Sequence, residues 1–427
     1  MKFVADFHIH SKYSRATSKD MDLENLDKWA KIKGIKVLGT GDFTHPEWFK
    51  NLKKELVPAE EGLYKLKQQA TSDKQREETR FILTSEISCI YTKKDKVHKI
   101  HIIIFSPSFE ACEKISAHLG WIGNIKSDGR PILGMDAKEL LKIALDASKD
   151  CLVVPAHLWT PWFSLFGSKS GFNSIEECFD EYSKYIYSIE TGLSSDPAMN
   201  WRLSQLDRIT LISNSDAHSP AKIGREANVF EGEELSYESI TEAIKKTKNL
   251  EARSCKLAYT IEFFPEEGKY HYDGHRICGI SLSPKESKKY NNICPTCGKY
   301  LTIGVLNRVE ELADRPEGFK PKDAVPFKNL IPLQEIIAEA LNLGTAAKQV
   351  SKEYKNLIEK FGTEFKILLD ASHQELKAAT LPEIAEGIER VKEGKVSIEP
   401  GYDGNYGKIK IFSQGEQKKI LKQNTLF

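Results

Sequence analysis

Phe3-Val4-Ala5-Asp6-Phe7-His8-Ile9-His10 opens the chain, and its alternation decides how the rest is read. A strand points every second side chain to one face, so His8 and His10 leave it together, with Asp6 beside them. Two imidazoles at one strand end suit zinc, manganese or iron better than they suit packing. The same kind of strand end recurs downstream. Short apolar strands are expected at 3–8, 37–40, 81–85, 100–105, 152–156, 185–190 and 209–214. Amphipathic helices lie between them, among them 22–33, 137–148, 175–182 and 237–248. Strands joined by helical crossovers predict a parallel (β/α)7 barrel, whose chemistry gathers at the C-terminal strand ends.

A chain of 427 residues exceeds one ordinary core. Three parts are expected: the barrel over 1–255, a His-, Cys- and Gly-rich segment over 256–320, and a helical part over 321–427. Helices in the last part are expected at 330–341, 344–361, 365–369 and 381–393. A loop, Pro400-Gly401-Tyr402-Asp403-Gly404-Asn405-Tyr406-Gly407, and a short strand at 408–412 follow. No apolar run is long enough to span a bilayer, and the N-terminus enters a strand without a leader, so the cytoplasm is the expected location. The net charge of +1 leaves nucleic-acid binding open, because a neutral total can conceal a basic face. Cys89, Cys112, Cys151, Cys178 and Cys255 are scattered as small core residues, whereas Cys278, Cys294 and Cys297 cluster. That pattern argues against a disulfide framework and for a metal site.

Metal-ligating residues stand at or beside nearly every barrel strand. They are His8 and His10, then Asp42, Glu86, His101 and His157, and finally Asp216 and His218 within Ser213-Asn214-Ser215-Asp216-Ala217-His218. Barrel geometry would bring these ends together. The donors outnumber one tetrahedral site, so two or three divalent cations (Zn, Mn or Mg) are implied, with an acid such as Glu86 bridging a pair. Paired cations serve phosphate-ester hydrolysis by acidifying a water and holding the attacking and leaving oxygens. No serine or cysteine nucleophile stands out. Glu190, closing the sixth strand, is either a ligand or a residue supporting one. His45 is a substitute ligand near Asp42, and His98, His118 and His373 read as surface residues.

Cys294-Pro295-Thr296-Cys297 and His275-Arg276-Ile277-Cys278 form two knuckles separated by roughly fifteen residues, a zinc-ribbon spacing with one cysteine replaced by histidine. His271 rivals His275 as the fourth ligand. So small a segment would draw much of its stability from one structural zinc. Lysines at 348, 352, 355, 360 and 366 interleave with acids and read equally as a solvated face. Tyr402 and Tyr406, among glycines that permit close approach, are candidates for stacking on DNA. After His157, the aromatic and small polar stretch from Trp159 to Asn173 reads as a pocket wall over the charged site.

The constellation Asp6-Phe7-His8-Ile9-His10, Gly41-Asp42, Glu86, His101, His157 and Asp216-Ala217-His218 resembles the PHP family of metal-dependent phosphoesterases, which fold as distorted seven-stranded barrels. The resemblance implies His8, His10, Glu86 and Asp216 as ligands of one metal and Glu86, His101 and His157 as ligands of a second. Asp42 and His218 would hold a third. The chain departs from the family at Asp42-Phe43, where Asp-His is usual, and at Ser14-Arg15-Ala16, where a further ligand is often found. Arg15 is then either a catalytic phosphate clamp or an exposed salt-bridging residue.

Ser11-Lys12-Tyr13-Ser14-Arg15-Ala16, Gly39-Thr40-Gly41-Asp42, the Trp159–Asn173 loop, the Cys294–Cys297 knuckle, Val309-Glu310-Glu311-Leu312-Ala313-Asp314-Arg315-Pro316 and the closing Pro400–Gly407 loop span the chain. On them the full chain resembles the endonuclease Q family. The resemblance implies a DNA-repair endonuclease that cuts 5′ to uracil, hypoxanthine, xanthine or an abasic site and leaves a 3′-hydroxyl and a 5′-phosphate. Asp216, Glu86, His218 and Arg15 would be its catalytic residues. A flipped lesion would be enclosed by Trp159, Trp162 and Phe172 and read by Ser170, Gly171 and Asn173. The alternatives are a small-molecule phosphatase of the histidinol-phosphate type, an exonuclease, and a non-catalytic DNA-binding protein. The C-terminal Gln423-Asn424-Thr425-Leu426-Phe427 offers apolar anchors, but lacks the usual spacing of a sliding-clamp contact.

Overall fold

The computed structural model describes residues 1–67, 78–245, 254–413 and 415. The first strand, Lys2–Asp6, is buried on both faces. Phe3, Ala5 and Phe7 join Val37, Ile82, Phe105, Val154, Ile212 and Phe230 in the barrel interior, while Val4 packs outward beneath the helices. Helix Leu23–Lys33 is the first crossover. Asp22 caps it by accepting a hydrogen bond from the Asn25 amide, and Gly34 ends it at φ 88°. The crossover returns the chain to Ile35–Gly39, parallel to the first strand and to the next long strand, Arg80–Lys93.

Here the expected parallel run is interrupted. Arg80–Lys93 and Lys96–Ser106 form one long antiparallel hairpin, from Leu83 opposite Ser106 to Lys93 opposite Lys96. Its tip, Lys94-Asp95, takes positive φ at both positions, the two-residue geometry that matches strand twist. Lysine and aspartate stand where glycine or asparagine would have signalled such a turn. Lys96–Ser106 then pairs antiparallel with Leu152–Pro155.

The barrel closes without a continuous ladder, which is its distortion. Ser188–Glu190 and Thr210–Ile212 are a separate parallel pair. They reach the rest through Leu158 N–H to Glu190 O (3.0 Å), Phe7 N–H to Asn214 Oδ1 (2.9 Å) and His10 N–H to Ala217 O (3.0 Å). On the other side of the first strand, Ala227–Gly232 runs antiparallel to it. The sheet continues past residue 255, with Cys255–Glu262 beside Ala227–Gly232 and Phe327–Asn329 outermost.

Between those last two strands lies a small hairpin, Asp273–His275 with Ile280–Leu282, and the helices Pro284–Lys289 and Val305–Leu312. The second helix, of eight residues, is too short for its period to stand out among the glycines and cysteines around it. Helices Leu333–Ala340, Lys348–Phe361, His373–Ala379 and Pro382–Lys392 form the C-terminal part. A π-turn at Lys366–Asp370 replaces the α-helix expected there. This part is fastened to the barrel by a buried polar knot: Glu364 accepts from Lys33 Nζ (2.9 Å), Tyr354 Oη (2.6 Å) and the Leu333 amide (3.1 Å). The tail considered for a sliding-clamp contact, and residues 246–248 of an expected helix, lie outside the described residues. Among those described, no helix is long and apolar enough to cross a membrane.

Candidate active site

His8, His10, Glu86 and Asp216 each offer a ligand atom within 4.8 Å of the others. His10 Nε2 lies 3.1 Å from Asp216 Oδ1 and 3.2 Å from Glu86 Oε2; His8 Nε2 lies 3.4 Å from Glu86 Oε2. Close as they are, His8 Nε2, His10 Nε2 and Asp216 Oδ1 are buried without a hydrogen-bond partner. Buried polar atoms are rarely left so. Three orphaned donor atoms converging on one point fit a divalent cation. Asp216 reaches it because its backbone adopts φ 46°, turning the carboxylate inward just past the last barrel strand.

Glu86 belongs to two groups at once. Its Oε2 faces His8 and His10, while Oε1 lies 2.8 Å from His101 Nδ1 and 3.1 Å from His157 Nε2. Glu86, His101 and His157 form a second donor set within 4.8 Å. One carboxylate oxygen per set is the geometry of a bridging ligand between paired cations. The hairpin makes this possible, because it pairs Glu86 with Ile103 and sets His101 two residues along the facing strand. His157 turns toward Glu86 from a backbone at φ 28°.

A buried polar layer aims these ligands. Glu190 holds His8 Nδ1 at 3.0 Å and accepts from Asn214 Nδ2 and the His157 amide. It is therefore a supporting residue, and it fixes the tautomer that points His8 Nε2 into the site. Asp42 does the same for His10, whose Nδ1 lies 3.0 Å from Oδ1. Asp6 binds the Ser215 amide and hydroxyl and the Gly224 amide, so it anchors the loop that carries Asp216. The electrostatics favour positive charge on His8 and His10, whereas burial holds the His101 imidazole down at about 4. Burial disfavours the imidazolium of His8, yet Glu190, Glu86 and Asp216 outweigh it and push its pKa well up. Burial likewise opposes the charge on Glu86, but His101, Arg130 and His8 hold its carboxyl well below the usual range.

Several expected residues are placed otherwise. Asp42 and His218 fall in none of the donor sets among the described residues, and both oxygens of Asp42 are engaged in hydrogen bonds. Oδ2 accepts from the Ser11 amide (2.6 Å), Ser11 Oγ (2.7 Å) and Ser14 Oγ (2.9 Å). His218 stays at the mouth of the site, its ring 4.6 Å from that of His10 and its Nδ1 donating to the Asp216 carbonyl. Arg15 points away: its side chain is 72% exposed and pairs with Asp128 at 3.3 Å. Arg130, which sequence reasoning missed, takes the position expected of Arg15, with Nη1 3.1 Å from Glu86 Oε2. Its only signal was a basic residue in a loop after Asp128-Gly129, with no strand end to mark it. His45 stacks on Tyr13 at 4.5 Å and is not among the ligand sets.

The Trp159–Asn173 loop is largely committed to packing, which corrects the expectation that these side chains line an open pocket. Trp159 is buried and donates to Asn200 Oδ1 at 2.8 Å. Phe172 stacks on the buried His98 at 3.7 Å, so His98 is no surface residue. Ser170 Oγ accepts from the Phe163 amide and donates to the Lys99 carbonyl, and Gly171 is buried beside it. Asn173 Oδ1 accepts from Arg308, whose guanidinium also binds the Phe166 and Phe172 carbonyls and clasps the loop from the helix Val305–Leu312. Trp162 does face solvent, 41% exposed and edge-on to Tyr270. Of the tyrosines, Tyr402 covers Gly274 as a structural contact, whereas Tyr406 is 69% exposed.

His275, Cys278, Cys294 and Cys297 also converge within 4.8 Å. Cys297 Sγ lies 3.3 Å from His275 Nδ1, while His271 is buried against Tyr272, which decides between the two histidines. One nitrogen and three sulfurs fit a closed tetrahedral divalent-metal site.

Comparison with known proteins gives a consistent picture. A family model described as PHP-associated matches residues 201–249, and one described as the MJ0043 C-terminal domain matches 332–395. The uncharacterized protein YqxK of Bacillus subtilis strain 168 is 30% identical over 433 residues, covering 96% of this chain and 99% of its own length. The uncharacterized protein MJ0043 of Methanocaldococcus jannaschii is 37% identical over 263 residues, 60% of this chain but only 32% of that protein. The crystal structure of the lesion-specific endonuclease PfuEndoQ from Pyrococcus furiosus has a TM-score of 0.84 and 32% identity over 99% of this chain and 97% of that one. Endonuclease Q in complex with a 27-mer duplex bearing an abasic lesion at its active site has a TM-score of 0.82 and 32% identity, over 99% and 98% of the two chains. With identity at this level sustained from end to end, the chain belongs to the endonuclease Q family.

Proposed function

We propose that this protein is a DNA-repair endonuclease that hydrolyses the phosphodiester 5′ to a deaminated base (uracil, hypoxanthine or xanthine) or an abasic site, leaving a 3′-hydroxyl and a 5′-phosphate. What carries the reading is Glu86, set between two donor groups in a chain whose whole length resembles a lesion-specific endonuclease. The two sets suit a pair of cations, of Zn, Mn or Mg type, and the His275 group suits one structural zinc. When bound, the paired cations acidify a water and neutralise charge on the phosphoryl oxygens. The chain's own residues do the rest. Glu190 and Asp42 keep His8 and His10 aimed, and Arg130 offers its remaining N–H groups to a phosphoryl oxygen. His218, whose Nδ1–H is held by the Asp216 carbonyl, presents Nε2 as a proton acceptor. Burial first, then His10 and Arg130, keep its pKa below the ordinary value despite Asp216.

On this reading the three parts divide the work: catalysis in 1–255, a metal-braced segment in 256–320 and DNA contact in 321–427. The sheet's extension through Cys255–Glu262 and Phe327–Asn329 ties them together. Trp162 and Tyr406, both exposed, are assigned to DNA contact. The protein's place of work is assigned to the cytoplasm. The test is incubation of metal-loaded protein with an end-labelled duplex carrying one deoxyuridine, beside an unmodified control. A single nick 5′ to the uracil is expected. Digestion from the ends, or phosphate release from small monoesters with no nick, would overturn the reading.

A further inference from the structure

Trp121, in the last turn of the helix Phe109–Ile122, is 91% exposed. Ile122 beside it is 38% exposed. Lone exposed apolar residues are ordinary on protein surfaces, but an indole almost wholly in water with a half-exposed isoleucine next to it at a helix end stands out. Its place in the fold is telling. The helix begins just past Ser106, which pairs with Leu83 at the start of the hairpin. Fourteen residues of helix cover about 21 Å, the length of about six strand residues. The helix therefore ends level with Ser88 and Cys89, where Ile132 and Leu133 join the sheet, just beyond Glu86. Gly123 confirms the level, because a Cβ there would come within 2.7 Å of Leu133 Cδ2.

From Gly123 the chain returns to the metal centre as a braced loop. Asn124 accepts from the Lys126 amide and from Ser127 Oγ, His45 Nε2 donates to the Lys126 carbonyl, and the Gly129 amide donates to Tyr13 O. Gly129 abuts Asp42 so closely that a Cβ would fall 2.3 Å from Oδ2. Arg130 ends the loop on Glu86. One rigid segment thus carries an exposed aromatic at one end and a contact to the bridging carboxylate at the other. Lys126 on this loop, and Lys12 on the stretch that Gly129 hydrogen-bonds through Tyr13, are exposed, which suits a polyanion.

We propose that Trp121, next to Ile122, stacks on a base of the lesion-bearing duplex and holds open the gap left when the damaged nucleotide leaves the stack. The inference rests on the reading of the chain as a lesion endonuclease. An indole face accepts any base, and an apolar wedge offsets the cost of unstacking. A wedge must also be stiff, and the hydrogen-bonded loop supplies that stiffness. Single-stranded substrate is already unstacked and needs no wedge.

The experiment compares wild type with Trp121→Ala on uracil-containing duplex and single-stranded DNA, with 2-aminopurine next to the uracil reporting unstacking. Wild type should nick both and brighten the 2-aminopurine of the duplex. The variant should lose about tenfold or more of its rate on duplex, the scale of one base–aromatic stack, with less than about a twofold loss on single strands. The 2-aminopurine of the duplex should stay dark, and the melting temperature should not change. Equal losses on both substrates, or none, would overturn the wedge while leaving the endonuclease intact. Failure of wild type to nick either substrate would instead overturn the endonuclease, and the wedge with it. A change of oligomeric state on substitution would assign Trp121 to a second copy of the chain and overturn its role on DNA.

Discussion

Asp216 and Glu190 illustrate two ways a carboxylate serves this centre. Asp216 presents an unpartnered oxygen into the first donor set, so Asp216→Asn should abolish cleavage while lesion binding and the circular dichroism spectrum persist. Full activity of that variant would sink the assignment of Asp216 to the metal centre. Glu190 acts through His8, so Glu190→Gln should weaken metal affinity by about 10–100-fold, with activity recovering at saturating metal. Metal titration followed by activity assay distinguishes the two. An unrecoverable loss at Glu190 would mean that it contacts substrate or metal itself. At this scale the ligands were legible because histidines and acids at strand ends are chemically rare. Arg15 stayed between two roles for a physical reason: sequence neighbourhood to His10 says nothing of direction, and Asp128 draws its side chain outward into the salt bridge that was one of the two readings.

Among the elements, the long hairpin and the zinc-ribbon-like segment matter most. The hairpin sets Glu86 opposite Ile103 and so brings the two donor sets together. The segment around His275 has little apolar core; Cys294 and Leu301 are among its few buried side chains. Its stability should therefore depend on its metal. Cys297→Ser should leave the purified protein short of one equivalent of zinc, and protease should cut within residues 276–300, while metal at the His8 set is retained. Elemental analysis with limited proteolysis checks this; unchanged zinc content would contradict it. The cysteine spacing made this element legible. The hairpin was not, since Lys94-Asp95 carries none of the usual turn chemistry.

For the whole molecule, the decisive feature is how many acids lie buried around the barrel mouth. Glu262 is fully buried and its pKa is pushed up to about 8, by burial first and Asp196 among the charges, although Thr260, Thr191 and Ser213 hydroxyls pull it down. Glu226 is raised too, by burial and then by Glu262. A raised folded pKa means that the fold holds the proton more tightly than the unfolded chain does. The stability it contributes is full below about pH 4.5, the ordinary glutamate value, and is lost as pH rises through about 8. Wild-type melting temperature should thus fall across that window, and Glu262→Gln should flatten the fall. Thermal melts of both proteins from about pH 5 to 9 test it; parallel curves would refute it.

The sequence by itself determined the kinds of chemistry and their order along the chain: His8 and His10 by strand alternation, Glu86, His101, His157 and Asp216 by recurrence at strand ends, and the cysteine knuckles by spacing. These are local signals, set by covalent geometry and residue type. Only the tertiary structure decided which donors share an ion, that Asp42 orients His10, and that Arg130 rather than Arg15 meets Glu86. It also decided that most of the aromatic loop after His157 is spent on packing. Those outcomes depend on hydrogen bonds and contacts between residues far apart in the chain. Burial makes such partners obligatory, and no local pattern records them.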